Sequence, residues 1–305
     1  MKNLIIDCNN LLYRVFWINK NNTLFNSKGQ NVASILFFLK GIKAYADMYT
    51  PDNIYACWDK KLIWPSSNFR KETQVTYKGN RDKEKFAGVH DFDDVIQEML
   101  DCLNVNNIYP NVMEADDLIA WLSDKLEGHT TIVSTDRDLW QLIRPSVRVY
   151  SPLDKKEITE INFEEHANIP LKHFIRYKSI IGDNSDNIKG VEGYGKVKGK
   201  KLALTWDEST ITDEIRKVVD ENTKLIDLRY GYNYYSDEVP IYQKQLNAIK
   251  KRNTHYNFDK FKYMCDEYEM PSVSNNLHYW ENTFKNSARS KVILTNLIEK
   301  LNIHK

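Results

Sequence analysis

Long apolar runs are missing from this sequence. No segment approaches the ~20 consecutive apolar residues that a membrane-spanning helix needs, so no membrane partner is expected. The opening Met1-Lys2-Asn3-Leu4-Ile5-Ile6-Asp7 turns acidic too soon for a signal peptide, and a cytoplasmic location is expected. Cysteine is scarce: Cys8, Cys57, Cys102 and Cys265 form no C-x-x-C pair and are expected to be buried, reduced thiols. The seven histidines show no metal-ligand spacing. There is no Gly-Lys-Ser/Thr to make a Walker loop, and no D-x-[DN]-x-[DN]-G run to make a calcium loop. An excess of one charge is absent too. Lys and Arg number 43 against 42 Asp and Glu, for a net charge of +1. A chain that grips nucleic acid with its whole surface is more basic, so any basic surface here must be local.

What is present is ordinary globular composition, 42% hydrophobic and 28% charged over 305 residues. The pattern predicts strands at Asn3–Ile6, Asn53–Trp58, Thr130–Ser134 and Val147–Tyr150. Helical spacing covers Val32–Met48, closed by Thr50-Pro51, then Phe92–Leu103, and Asp116–Leu126, closed by Gly128. Alternation of this kind predicts an α/β fold: a mostly parallel central sheet with helices on both faces. Beyond residue 170 the strand signal fades, predicting a C-terminal helical domain. Residues 63–91 break the rhythm and are polar and basic. A connection that long is either functional or a mere surface loop.

Three predicted strands run into an acid: Asp7, Asp59 and Asp136. In open α/β sheets, ligands bind at the carboxyl ends of strands, where such acids converge. Asp138 lies two residues beyond Asp136. Glu114, Asp116 and Asp117 open a helix, and Asp183 and Asp186 are three apart. Nine carboxylates at one edge would repel, and hard divalent cations resolve that repulsion. Two such ions, about 3.5–4 Å apart, can clamp a phosphodiester during attack by water. Taken singly, each acid reads equally as a helix cap or solvated charge, Asp117 most of all.

Lys189-Gly190-Val191-Glu192-Gly193-Tyr194-Gly195-Lys196-Val197-Lys198-Gly199-Lys200-Lys201 follows directly. Its glycines bare backbone amides for a phosphate, and its lysines add charge; the alternative is a flexible basic turn. Between 63 and 91, Arg70, Lys71, Lys78, Arg81, Lys83 and Lys85 interleave with Tyr77 and Phe86, a mixture suited to single-stranded nucleic acid. Arg14 falls on the helix after the first strand, in reach of a phosphate or of an acid partner.

Together these residues resemble the structure-specific 5′ nucleases, over roughly residues 1–205. Asp7 with Tyr13-Arg14 is similar to that family's opening motif, and Tyr77-Lys78-Gly79-Asn80-Arg81 to its arch. Glu114-Ala115-Asp116-Asp117, Ser134-Thr135-Asp136-Arg137-Asp138 and Gly182-Asp183-Asn184-Ser185-Asp186-Asn187 resemble its acidic motifs. Gly190-Val191-Glu192-Gly193-Tyr194-Gly195 resembles its helix–hairpin–helix loop. Tyr194 and Gly199 depart from the small aliphatic and the alanine usual there, and either change is expected to loosen the hairpin.

The resemblance implies a PIN/resolvase-like catalytic domain over 1–180, with an arch at about 63–91. It also implies a helical DNA-binding domain over 181–305, with the helix–hairpin–helix at about 183–203. One magnesium ion would be held by Asp7, Asp59, Glu114 and Asp116, and a second by Asp136, Asp138, Asp183 and Asp186, with Asp117 nearby. Manganese would substitute, and a potassium ion could sit at the hairpin. Lys78 and Arg81 would act in catalysis with Asp136 and Asp138. Arg14, Arg70, Lys189, Gly193, Gly195, Lys196 and Lys198 would meet the nucleic acid. The implied activity is 5′-3′ exonuclease, flap endonuclease and RNase H cleavage of DNA or RNA–DNA hybrid by a monomer. Its implied setting is phage replication in the host cytoplasm, beside a single-strand-binding protein or sliding clamp. A PIN- or NYN-type ribonuclease and a non-catalytic junction-binding protein are the rival readings.

Overall fold

Alternate residues of the first apolar run face opposite ways: Leu4 and Ile6 enter one hydrophobic cluster and Ile5 the other. A strand covered on both faces reads as a continuous apolar run, which is why this segment carries no polar alternation. The computed structural model describes residues 1–19, 21–22, 24–59, 69–79, 88–110, 112–251 and 255–285. Arg81, Lys83, Lys85 and Phe86 of the expected arch lie outside the described residues.

The first run is β1 (Lys2–Asp7). With β2 (Asn53–Cys57), β3 (Asn106–Ile108), β4 (His129–Val133), β5 (Val147–Ser151) and β6 (Lys156–Ile158) it forms a six-stranded sheet of order β3-β2-β1-β4-β5-β6. Every pairing is parallel except that of the edge strand β6 with β5. The chain builds from β1 through β2 to β3 on one side, then crosses to β4 on the other. The gap between the ends of β1 and β4 is therefore the topological switch point, where open α/β sheets bind ligands. Strands β3 and β6 were not expected. Each has three residues, and β3 reads Asn-Asn-Ile, so neither shows an apolar run. Asn106 earns its place by donating its side-chain amide to the Ile54 carbonyl at 3.0 Å.

In chain order the helices are α1 (Cys8–Ile18), α2 (Ala33–Tyr49), α3 (Phe69–Thr73), α4 (Asp93–Cys102), α5 (Ala115–Lys125), α6 (Phe163–Ala167) and α7 (Phe174–Ile181). A two-stranded hairpin, β7 (Gly182–Asp183) with β8 (Ile188–Lys189), follows. Then come α8 (Lys196–Leu204), α9 (Asp213–Ile226), α10 (Leu228–Tyr234), α11 (Val239–Lys251), α12 (Phe258–Glu267) and α13 (Pro271–Ser274). Thr50, in the left-handed region at φ 43°, ends α2 just before Pro51, as the sequence predicts.

Helices α1, α2 and α4 cover one face of the sheet; α5, α7, α9, α10 and α11 contribute to the core on the other. Among the described residues the C-terminal helices pack into the clusters that cover the sheet. Phe258, Phe261 and Met264 of α12 and Val273 of α13 share one cluster with Leu36, Leu39 and Met99 of α2 and α4. All four cysteines are buried and free. Among the described residues no helix is long and apolar enough to cross a membrane.

Candidate metal centre and nucleic-acid interface

Asp7 ends β1 and caps α1, accepting from the Asn10 amide at 3.2 Å. Its other oxygen accepts from Ser134 Oγ at 2.6 Å, just past the end of β4, so the two strands on either side of the switch point are stitched through this carboxylate. Ser134 Oγ in turn accepts from the Asp136 amide at 2.9 Å, and Asp136 accepts from the Asp138 amide at 2.7 Å. These bonds aim the Ser134-to-Asp138 turn across the sheet edge. Two residues past β2, Asp59 accepts from the Ala115 amide at 2.8 Å and so joins the start of α5 to the same edge.

Burial raises the Asp7 carboxyl to about 7, with Asp136 and Asp59 adding repulsion against the Ser134 hydrogen bond. Burial also pushes Asp116 well above the usual carboxylate range, and Asp136 and Asp7 repel it further. Asp7, Asp59, Asp116 and Asp136 therefore form one mutually repelling group. Asp136 also repels Asp138, so it stands between this group and the other acids.

The remaining acids share lysines. Lys178, from α7, donates to Asp138 and, at 2.7 Å, to Asp183. Burial works against its charge, but the two carboxylates outweigh burial and hold Lys178 protonated above its usual range. Asp138 is still raised to about 6 by burial, while in Asp183 the lysine and Ser185 overcome burial and hold the carboxyl below its usual range. Lys78 donates to Glu114 at 2.8 Å and stands 4.0 Å from Asp186. Tyr77 donates to the same two carboxylates, at 3.1 and 3.2 Å. Tyr77 is only 4% exposed, so it supports the acids and is not the base-stacking surface that its spacing suggested.

The 74–78 leg is fixed to the 186–187 loop. Gln74 donates to the Asn187 carbonyl at 2.6 Å, Asn187 to the Thr76 carbonyl at 2.9 Å, and the Lys78 amide to the Asp186 carbonyl at 3.0 Å. Lys78 itself adopts φ 53°, an uncommon left-handed geometry held by these bonds. The loop is placed by Gly182 at φ 75°, where an added Cβ would lie 2.4 Å from the Ile188 oxygen and the Gly190 nitrogen. Lys178 was missed by sequence reasoning. Its signal was a lysine within the largely apolar Phe174–Ile181 segment, five residues before Asp183.

Two expected site residues are placed elsewhere. Arg70 and Asp117, at 1% and 0% side-chain exposure, form a two-pronged ion pair at 2.7 and 2.6 Å. Arg70 also donates to the Leu225 carbonyl at 2.8 Å. A guanidinium so enclosed does not reach a phosphate, and both Asp117 oxygens are engaged away from a metal. The pair braces α3 against the start of α5. Arg14 donates to the Pro152 carbonyl at 3.2 Å, without an acid partner in that bond. Lys189, Gly193, Gly195, Lys196 and Lys198 are all exposed around the start of α8, with Gly195 as its N-cap. Gly199 does not loosen this region. It lets α8 approach α7, since a Cβ there would lie 2.5 Å from the Ile181 side chain.

Among the described residues no group of three or more His, Cys, Asp or Glu is arranged to cage a metal as it stands. The donor chemistry fits magnesium nonetheless. All the candidates are hard carboxylate oxygens, and magnesium uses only one or two carboxylates while keeping waters and substrate phosphates as its other ligands. The repulsion among Asp7, Asp116 and Asp136 is what a bound cation would relieve. A cavity of about 550 Å³ lies at the opposite, N-terminal edge of the sheet, lined by residues such as Lys2, Pro51 and Val147 and by none of these acids.

A parallel sheet carrying acids at its switch point, with a lysine-rich helix beside them, is a nuclease-type arrangement. In fold the chain is similar to the bacteriophage T5 D15 protein co-crystallised with metal ions, at TM-score 0.63 and 23% identity over 82% of this chain and 97% of that one. It is also similar to flap endonuclease-1 from Methanococcus jannaschii, at TM-score 0.52 and 14% identity over 93% of each. The family model for the 5′-3′ exonuclease N-terminal resolvase-like domain matches residues 2–168. A 5′-3′ exonuclease of Bacillus subtilis is 32% identical over 68% of this chain and 71% of its own length, and one of Mycoplasmopsis pulmonis 31% over 74% and 72%. The chain belongs to the 5′-3′ exonuclease family of nucleases.

Proposed function

We propose that this protein is a magnesium-dependent 5′ nuclease that hydrolyses phosphodiester bonds near 5′ ends and flaps of DNA or RNA–DNA by a two-metal mechanism, removing RNA primers and flaps in phage replication. The observation that carries this reading is the pair of buried, raised carboxylates Asp7 and Asp116 at the β1–β4 switch point, both repelled by Asp136. The bacteriophage T5 D15 flap endonuclease, solved with DNA and metal ions and similar at TM-score 0.58 and 24% identity, supports it.

In this reading Asp7, Asp116 and Asp136, with Asp59 behind them, hold one ion, and Asp138 and Asp183 hold the other. Bound divalent ions would supply the charge that activates water and stabilises the leaving oxygen. Lys78 turns from Glu114 toward the scissile phosphate and neutralises charge that develops there. Lys178 keeps Asp138 and Asp183 together before the ion arrives. Residues 182–204 act as the helix–hairpin–helix, with the α8 lysines and the bare amides at Gly193 and Gly195 holding a duplex backbone without regard to sequence. Manganese substitutes for magnesium, and the protein works as a monomer in the cytoplasm.

The test is incubation with magnesium and three 5′-labelled substrates: a flap, a nicked duplex and an RNA-primed duplex, with product lengths compared. Wild type is expected to release short 5′ products. Asp136→Asn is expected to release none while still binding a forked duplex. A fully active Asp136→Asn protein refutes the assignment.

A further inference from the structure

Behind the acids, between the 3-10 helix Arg137–Leu142 and helices α6, α7 and α8, lies a cavity of about 520 Å³. That is within the size range of sites for single small molecules. Its charged lining is all of one sign. Arg137, Lys178, Lys196 and Lys200 contribute, and no carboxylate does among the described residues. Lys178 is committed to Asp138 and Asp183, but Lys200 donates only to the neutral amide oxygen of Asn168, at 2.8 Å. Beside the polar His166 and Asn168, the other walls include the flat or apolar Trp140, Phe174, Tyr177 and Ile181. The exposed Arg137 guanidinium lies over the buried Trp140 ring, 5.2 Å from its centre.

A solvated basic groove needs no aromatic walls, and a bare phosphate site needs none either. Cations beside flat surfaces are the combination that holds a phosphate and a base together. We infer that this cavity is a nucleotide subsite. It takes one nucleotide of the substrate, with the phosphate toward Lys196 and Lys200 and the base stacked on the Arg137 guanidinium. Through Lys178 it adjoins the Asp138–Asp183 side of the catalytic edge, so a strand held here is held next to the bond that is cut. This inference rests on the nuclease reading.

The test uses the full chain in EDTA, so that no cleavage is required. The deoxynucleoside 5′-monophosphate of 2-aminopurine is titrated in, and quenching of its fluorescence reports stacking. Binding with quenching is expected, with inorganic phosphate and the free nucleoside each competing at least about tenfold more weakly. Arg137→Ala and Lys200→Ala are each expected to weaken binding about 5- to 30-fold. Arg137→Lys, which keeps the charge but not the flat surface, should lose the quench and keep the phosphate competition. Unchanged binding by Arg137→Ala, or phosphate competing as well as the nucleotide, overturns the inference. Flap cleavage is measured in parallel. A protein that cleaves flaps but does not bind the nucleotide removes the subsite alone; one that binds it but cleaves nothing removes the nuclease reading alone.

Discussion

Replacing Arg70 by alanine should destabilise this protein strongly without touching its contacts to nucleic acid. The guanidinium makes two bonds to Asp117, at 2.7 and 2.6 Å, and one to the Leu225 carbonyl at 2.8 Å, and it lies over the Phe69 ring. Gly231 closes the site so tightly that an added Cβ would lie 2.0 Å from an Asp117 oxygen, leaving little room for water to replace the lost side chain. Burial already raises Asp117 above the usual carboxylate range despite Arg70, so the variant would leave an enclosed charge with no counter-ion. Breaking one side of a buried pair costs about 3–5 kcal/mol. With an unfolding entropy of about 2.1 cal/mol/K per residue, 305 residues give roughly 0.64 kcal/mol/K, so Tm should fall about 5–8 °C. Calorimetry measures this directly. Adding Asp117→Asn to the variant should recover a substantial part of the loss, because the enclosed charge is gone. A Tm within about 1 °C of wild type, together with a salt slope of DNA binding reduced by about one, would refute the reasoning and return Arg70 to the phosphate contacts.

Lys78→Ala should lower kcat about 10²- to 10³-fold and weaken flap affinity far less, as single-turnover and binding assays will show; equal losses remove Lys78 from catalysis. In EDTA, stability should fall as pH rises from about 4 to 7. The folded chain holds protons on Asp7, raised to about 7, and on Asp138, raised to about 6, that the unfolded chain releases. Asp183, held low, works in the opposite sense, giving stability that is lost on acidification. Magnesium should restore Tm at pH 7.5, and its affinity should rise at least about tenfold from pH 6 to 8 as it displaces those protons. A Tm that is flat with pH in EDTA and insensitive to magnesium contradicts this.

The sheet was legible because its strands are buried on both faces. Leu4-Ile5-Ile6 and Ile132-Val133 announce themselves by unbroken apolarity. Strand β3 was not, since its pairing depends on Asn106 and its neighbours and not on any run of its own. The convergence of Asp7, Asp59 and Asp136 followed from strand ends meeting at a switch point, a property of topology that alternating elements imply. Partner choice was not legible. Spacing cannot tell an exposed arginine from one enclosed against Asp117, and so Arg70 and Asp117 were assigned to the wrong surroundings. Tyr77 was misplaced for the same reason, as burial by Ile188, Leu225 and Ile226 comes from segments more than a hundred residues away. Lys178 left only the weak mark of a lysine in an apolar segment, because Asp138 and Asp183 are brought to it by separate turns.

Whether the acids of the β1–β4 edge hold divalent ions is tested most directly by anomalous diffraction from crystals soaked in manganese. Two peaks are predicted: one beside Asp7, Asp116 and Asp136, the other beside Asp138 and Asp183. Manganese absent from this edge at millimolar concentration, or bound on another face of the molecule, would contradict the account.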